Sequence, residues 1–318
     1  MRTRVIRVVT VLGQTVFVLW AVTLLAFLIL EAVPGSTLDL LAPPDATRAE
    51  RAAIARANGL DQPIVVRYLD WIGNALQGDF GRSLATKQSV AQLIGERVPV
   101  SLELALGALI LAILIAVPLG VYTAYRPGKI LDRVVGFLSS GALAVPTFLL
   151  APILLYLLSV QLHLFPLTGY RPWSAGPYEH IRYMVLPIIT LSLGEAVLML
   201  RVLRSDMMAT LREDFVVSAR ARGLSTPRIL FGHALRPSSF SLVTVLGVSL
   251  GRLIGGSVIV ESIFRLPGLG QLVVNSVNGR DVVTTQAVIL VIALVFVLVN
   301  VLVNASYSAL DPRVKGVA

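Results

Sequence analysis

Six stretches of this chain are long and apolar enough to cross a bilayer: Val8–Leu30, Ser101–Tyr125, Val134–Val160, Met184–Leu203, Phe240–Val260 and Gln286–Tyr307. About 20 mostly apolar residues span the hydrocarbon core as a helix. In lipid only helices and closed barrels satisfy their own backbone. The pattern predicts an all-α integral membrane protein with six transmembrane helices. Charge agrees: 14% of the residues are charged, against about 25% in soluble domains. The net charge of +9 fits cytoplasmic basic loops at a lipid bilayer better than a nucleic-acid partner. Cysteine is absent and His163, His180 and His233 are scattered, so disulfide, thiol and metal chemistry are not expected. Arg2, Arg4 and Arg7 precede the first stretch as in a signal peptide. The stretch is long for one, and no small-residue cleavage site follows cleanly, so it is read as a retained span.

Short loops set the orientation. Arg126, Lys129 and Arg133 separate spans two and three, and Arg204, Arg212, Arg220, Arg222, Arg228 and Arg236 separate spans four and five. Arg313 and Lys315 follow span six. The loops 161–183 and 261–285 hold two basic residues each. The positive-inside rule therefore places both termini in the cytoplasm, and the segment from Pro34 to Pro99 outside. That segment reads as two helices. Thr47 with Glu50 forms a capping box, Asn58-Gly59 stops the first helix, and a second follows with Val65, Tyr68, Leu69 and Ile72 on one face. "GDFGRSL" (Gly78–Leu84) then makes a glycine-punctuated turn. The domain reading is 1–96 for the first span plus this insert, 97–311 for the five-helix membrane domain, and 312–318 for a cytoplasmic tail.

Pro118, Pro146, Pro152 and Pro187 lie within or beside spans, where neighbouring helices satisfy freed carbonyls. Gly247, Gly251 and Gly255 make a small-residue ridge on span five, suited to packing within the chain or on a partner subunit. No sequence repeat and no inverted pair of halves is present.

Between spans four and five lies a basic island, "SARARGLSTPRILFGHALRP" (Ser218–Pro237). Residues 206–222 favour helix, with Met207, Leu211, Phe215 and Val216 on one side. Gly223 stands where a left-handed residue closes a helix, and Arg220 and Arg222 suit the dipole of its last turn. Thr226-Pro227 reads as the cap and first position of a second helix, ended by Arg236-Pro237. The corner is built of small side chains, Ser218, Ala219, Ala221 and Gly223. A loop needed only for orientation would want the arginines and not the corner.

This island resembles the cytoplasmic coupling loop of ABC importer permeases, whose pattern is EAA-xxx-G. Aligned on Gly223, the EAA positions fall on Val217, Ser218 and Ala219. The glutamate is missing, as is usual in the peptide/nickel (DppB/OppB-like) branch, where "TARAKG" is typical and "SARARG" stands here. "GLDQPIVVRYLDWIGNALQGDFGRSL", "VPTF", "LFPLTG", "VESIFRLPGLGQL" and "LDPRVKG" are similar to further landmarks of that branch, so the resemblance covers nearly the whole chain. Two departures stand out: "PGS" at Pro34–Ser36 where PGD is frequent, and Asn304 where aspartate is common. The resemblance implies the type I importer permease fold in a bacterial cytoplasmic membrane. The implied partners are a second, similar permease, two ABC ATPases and an extracytoplasmic binding protein. It implies that Val217, Ser218, Ala219, Arg220, Ala221, Gly223 and Leu224, within the loop 204–237, couple to an ATPase. It implies no catalysis and no cofactor in this chain, ATP and Mg being held by the ATPases. The implied cargo is dipeptides or oligopeptides, with nickel chelates, glutathione, haem and sugars as alternatives.

Gly128-Lys129 lacks the flanking residues of a phosphate-binding loop, so ATP hydrolysis would need another chain. An intramembrane enzyme would need a nucleophile–base set or metal ligands at depth, and no Gly-x-Ser-x-Gly or paired aspartate occurs in the spans. A stand-alone secondary carrier remains the other class, because Glu195 and Arg252 fall inside spans, where charge is costly. Depth counting puts them at similar levels. Three readings stay open for them: a structural ion pair, an arginine on the translocation path that meets a substrate carboxylate, or no contact.

Overall fold

The computed structural model describes residues 2–32, 38, 42–43, 45–57 and 59–310, with side chains described within 13–301. Pro34–Ser36, Asn58, the side chain of Asn304 and the 312–318 tail lie outside the described residues. The described chain is helical, and an isolated bridge between Arg82 and Ser89 is its β pairing. Two compact units form. Among the described residues, one comprises those up to 100 together with 267–298, and the other Ser101–Leu266 and Val299–Leu310. The domain reading, with its boundary at 96/97, instead left 267–298 with the membrane helices.

In the first unit, α1 (Arg2–Ala32), α2 (Arg48–Ala57) and α3 (Ile64–Leu76) are followed by the first turns of α4 (Val90–Tyr125). The capping box is made: the Thr47 N–H and Oγ1 donate to Glu50 Oε2 at 2.7 and 2.8 Å, and the Glu50 N–H donates to Thr47 Oγ1 at 3.3 Å. Gly59 has φ of +63°, so the chain leaves α2 as glycine permits. Of the expected apolar face on α3, Tyr68 is buried while Val65 and Leu69 are exposed. Tyr68 meets Phe27 edge-on at 5.4 Å and its OH lies 2.8 Å from Thr23 Oγ1. Trp71 joins the same aromatic cluster, 6.4 Å from Phe27 and 6.3 Å from Tyr68, so the packed face is turned toward Tyr68, Trp71 and the half-buried Ile72. A second cluster joins Val90, Leu93 and Ile94 to Leu269 and Leu272 of α12 (Leu269–Asn278) and to Ala287 and Val288 of α13 (Val282–Leu310).

The second unit holds the remainder of α4, then α5 (Ile130–Ala144), α6 (Thr147–Leu154) with a π-helical run Leu155–Gln161, α7 (Pro177–Thr210), α8 (Asp214–Ala221), a π-helical run Arg228–Ala234 into α9 (Leu235–Ser238), α10 (Phe240–Gly256) and α11 (Val258–Phe264). Its core sets Ala112, Ala116, Val121 and Ala124 of α4 against Ala196, Met199, Leu200, Leu203 and Met207 of α7. Ala105, Ala108, Ala112 and Ala116 are fully buried. This small-residue stripe lets α4 and α7 approach closely: a Cβ on Gly107 would lie 2.7 Å from Ile188 Cδ1.

Among the described residues, four helices, Gly13–Glu31, Val90–Tyr125, Pro177–Thr210 and Val282–Val301, are long and apolar enough to cross a membrane, or up to seven if each of three bent pairs is one span. The expected third span is not one rod. Ile130–Ala144 and Thr147–Gln161 meet at 106°. Val145 is extended ahead of Pro146, as the steric restriction on a residue before proline requires. Pro99 and Pro118 do not break α4, which begins eleven residues before the expected Ser101 start and runs 36 residues, about 54 Å. The stretch 261–285, read as loop, is largely helical: it holds the end of Val258–Phe264, the whole of Leu269–Asn278 and the start of Val282–Leu310. On α10, Gly247 and Gly251 are buried against the chain and Gly255 is exposed.

Candidate coupling loop and intramembrane ion pair

The loop after α7 is set by local chemistry. The 206–222 helix is interrupted at 211–213, where α7 closes and Glu213, in extended backbone, starts α8. Asp214 stands in the first turn of α8 and Arg220 in its last, both favourable to the dipole. Gly223, at φ +77°, closes α8 with a Schellman pattern: the Gly223 N–H donates to Arg220 O at 2.9 Å and the Leu224 N–H to Ala219 O at 3.3 Å. The next helix starts at Thr226, the residue expected to cap it and one before the expected first helical position, with the Ile229 N–H donating to Ser225 O. It does not end at Arg236-Pro237; the break comes at Ser239, where the chain turns by 59° into α10. Pro237 is instead accommodated in the last turn of the continuous helical segment Arg228–Ser238.

Of the residues expected to couple, Val217, Ser218, Arg220, Ala221 and Gly223 are exposed and Leu224 is half-buried. Ala219 is not on that surface: it is fully buried with Val216 and Ile229, because it occupies the inward side of a two-turn helix. Val217 is 57% exposed, an apolar side chain left uncovered at the tip of a polar loop. Behind the corner is an open cleft of about 480 Å³ lined by Tyr125, Arg126, Arg220, Leu224, Thr226, Ile229 and Leu230. Tyr125 and Arg126 come from the end of α4, ninety residues earlier, and no local pattern announces them. The Arg126 guanidinium lies 5.8 Å from the Tyr125 ring centre and 6.0 Å from that of Tyr122. The loop's base is tied by Arg204, whose Nε and Nη2 donate to Asp132 Oδ1 and Oδ2 at 2.9 and 3.0 Å. In sequence Arg204 reads only as an orienting charge.

Glu195 and Arg252 are in contact. Arg252 Nη2 donates to Glu195 Oε1 at 2.9 Å and Oε2 at 2.7 Å, and Ser249 Oγ donates to Oε2 at 2.5 Å. Glu195 is 9% exposed at its side chain and Arg252 53%. The carboxylate is thus enclosed between α7 and α10, while the guanidinium reaches the surface.

Two other polar sites escaped the sequence reading. His180 is buried, stacked on Trp173 at 4.1 Å, with Nδ1 2.7 Å from Arg171 O and Nε2 2.6 Å from Glu103 Oε1. Glu261 is fully buried and accepts from Ser101 and Ser257 Oγ at 2.8 Å each. A glutamate inside the apolar run VIVESIF was its available signal. Among the described residues, no three His, Asp or Glu side chains are placed to hold a metal ion.

Comparison with known proteins agrees with this architecture. The chain is 36% identical over 301 residues to the oligopeptide transport system permease protein AppB of Bacillus subtilis, covering 94% of this chain and 95% of the relative. It is 33% identical over 304 residues to a probable peptide ABC transporter permease protein, y4tP, of Sinorhizobium fredii, covering 96% and 97%. A putative peptide transport system permease protein of Brucella abortus is 37% identical over 303 residues, covering 95% and 96%. Among solved structures, a chain of the MetNI methionine ABC transporter in an inward-facing conformation superposes with a TM-score of 0.58 at 18% identity, covering 69% of this chain and 97% of that one. The fold is therefore that of a type I ABC importer permease, a multi-pass protein of the cytoplasmic membrane. The model of binding-protein-dependent transport system inner membrane components matches residues 116–316, a stretch holding both the loop and the ion pair, and the chain belongs to that family.

Proposed function

We propose that this chain is a permease subunit of an ATP-driven peptide importer. It forms the translocation path with a second, similar permease, receives peptide from an extracytoplasmic binding protein, and is driven by two cytoplasmic ATPases that hold ATP and Mg. The observation that carries the reading is near-full-length similarity to proteins named as oligopeptide and peptide permeases. In this reading the 204–237 loop is the mechanical link. Val217, Ser218, Arg220 and Ala221 present one exposed side of α8 to a groove in an ATPase. Gly223 and Leu224 fix the corner, and Ala219 anchors α8 from within. Arg252, held by Glu195, lines the path. The uncovered Val217 gives the test. Val217 is mostly exposed and lies outside the buried Val216–Ala219–Ile229 cluster, so Val217→Asp should leave membrane insertion and yield at wild-type levels. Peptide uptake and peptide-stimulated ATP hydrolysis in proteoliposomes fall at least about tenfold, as for a central interface anchor. Wild-type uptake by that variant would remove the loop from the coupling path.

A further inference from the structure

Over the second half of α7 the exposed positions are Gly194, Arg201, Ser205 and Ala209, at the seven- and four-residue spacing of a single helical face; Pro177, Tyr178 and Ile181 are exposed only at its other end. On α10 a row of exposed positions four residues apart, Thr244, Val248 and Arg252, runs along one side, flanked by the exposed Phe240, Ser241, Gly255 and Gly256 at the two ends. The two helices run antiparallel: Arg252 bonds Glu195, and further along Ser238 Oγ donates to Thr210 Oγ1 at 2.9 Å. Arg201 is six residues beyond Glu195, about 9 Å along α7. Val248 is four residues from Arg252 in the same direction, about 6 Å along α10.

Arg201 is the unexpected member. A long cation near a helix end ordinarily extends toward the interface. Here Nη2 donates to Ser140 Oγ at 3.2 Å. Ser140 lies further along α5 than Asp132, the partner of Arg204, so the guanidinium extends away from the cytoplasmic end of α7 and is still exposed. Lipid is not a suitable cover, because a charge inside a span faces protein or water. Arg252 is in the same position, with Nη2 on Glu195 while Nε and Nη1 make no hydrogen bond among the described residues. Neither stripe carries a carboxylate.

We infer that this stripe is the wall of the water-filled pathway and that Arg201 is a second docking point, cytoplasmic to Arg252, for the carboxylate of the transported peptide; the assignment rests on the peptide-permease reading above. Each arginine offers free N–H groups, and a guanidinium fork matches a carboxylate bidentately. Two such points on one wall let an anion pass from one to the next without becoming unpaired.

The absence of native cysteine makes the test direct. Val248→Cys is introduced into the assembled transporter in proteoliposomes, and labelling of this chain is followed by mass spectrometry. The reagents are anionic 2-sulfonatoethyl and cationic 2-(trimethylammonium)ethyl methanethiosulfonate, each rate divided by that with a free thiol. The expected result is a preference for the anion of about tenfold, the scale of a charged cleft. Arg201→Gln, which removes one hydrogen bond, should abolish most of that preference, and Arg201→Lys should keep it. Millimolar tri-alanine should slow labelling and tri-alaninamide should not. No labelling, as for a lipid-facing or subunit-covered position, overturns the inference. So does a preference that Arg201→Gln leaves unchanged, or equal protection by both peptides. Tri-alanine uptake by the wild-type complex is measured beside it. Uptake without the charge preference sinks the inference alone; the preference without uptake sinks the peptide reading and leaves an anion pathway.

Discussion

Asp281 is held by hydrogen bonds that the sequence does not advertise. Its carboxylate accepts from Ser83 Oγ at 2.5 Å, Thr284 Oγ1 at 2.7 Å, and the N–H groups of Leu84 and Thr284. Burial pushes its pKa up, but those four donors outweigh burial and hold it below the ordinary carboxylate value. A depressed folded-state pKa stabilises the fold above the unfolded value of about 3.9, and the stabilisation is lost as pH falls through the folded value. Asp281→Asn should therefore unfold at lower temperature than wild type at pH 7, by roughly 1–3 kcal/mol of lost charge-assisted bonding. The gap should narrow as pH falls below about 4. Thermal unfolding of the purified protein across that range measures it, and a gap independent of pH would mean that the charge is not what Ser83 and Thr284 hold. The partners sit almost two hundred positions apart in sequence, which is why "GDFGRSL" reads only as a turn. Glu195 and Arg252 were easier to pair, because two charges in apolar runs have few places to go.

Elements were legible where their cause is local. The Thr47–Glu50 capping box and the left-handed Gly223 follow from a few neighbouring residues, and both form. Elements whose ends depend on packing were not. Pro146 breaks a span while Pro118 and Pro187 sit inside unbroken helices, because neighbouring helices decide whether a freed carbonyl is satisfied. Close helix approach is also a matter of packing: Gly107 leaves room for Ile188 in the α4–α7 seam. Gly107→Val should lower stability by about 1–3 kcal/mol, the usual cost of overpacking. Adding Ile188→Ala should recover part of that loss, although Ile188→Ala alone destabilises. A thermal double-mutant cycle measures the coupling. Strict additivity would mean that the seam relaxes elsewhere.

At the scale of the whole molecule, charge asymmetry makes a prediction about sidedness. A cysteine at Thr86 should react with an impermeant thiol reagent from outside intact cells, and one at Ser225 only after permeabilisation; both positions are exposed. The reverse pattern would invert the topology. Membrane residence, the excess of basic loops, the glycine corner and the family were determined by the sequence alone. Each rests on composition or on short-range stereochemistry that no distant contact alters. Tertiary structure decided the 106° bend at Pro146, the burial of Ala219, the cleft that draws in Tyr125 and Arg126, and the partners of Asp132, His180, Asp281 and Arg201. In a bilayer nearly every helical residue is apolar, so hydropathy no longer separates the lipid face from the packed face. Only the neighbouring helices determine which small residue, proline or charge is covered and which is left to face the pathway.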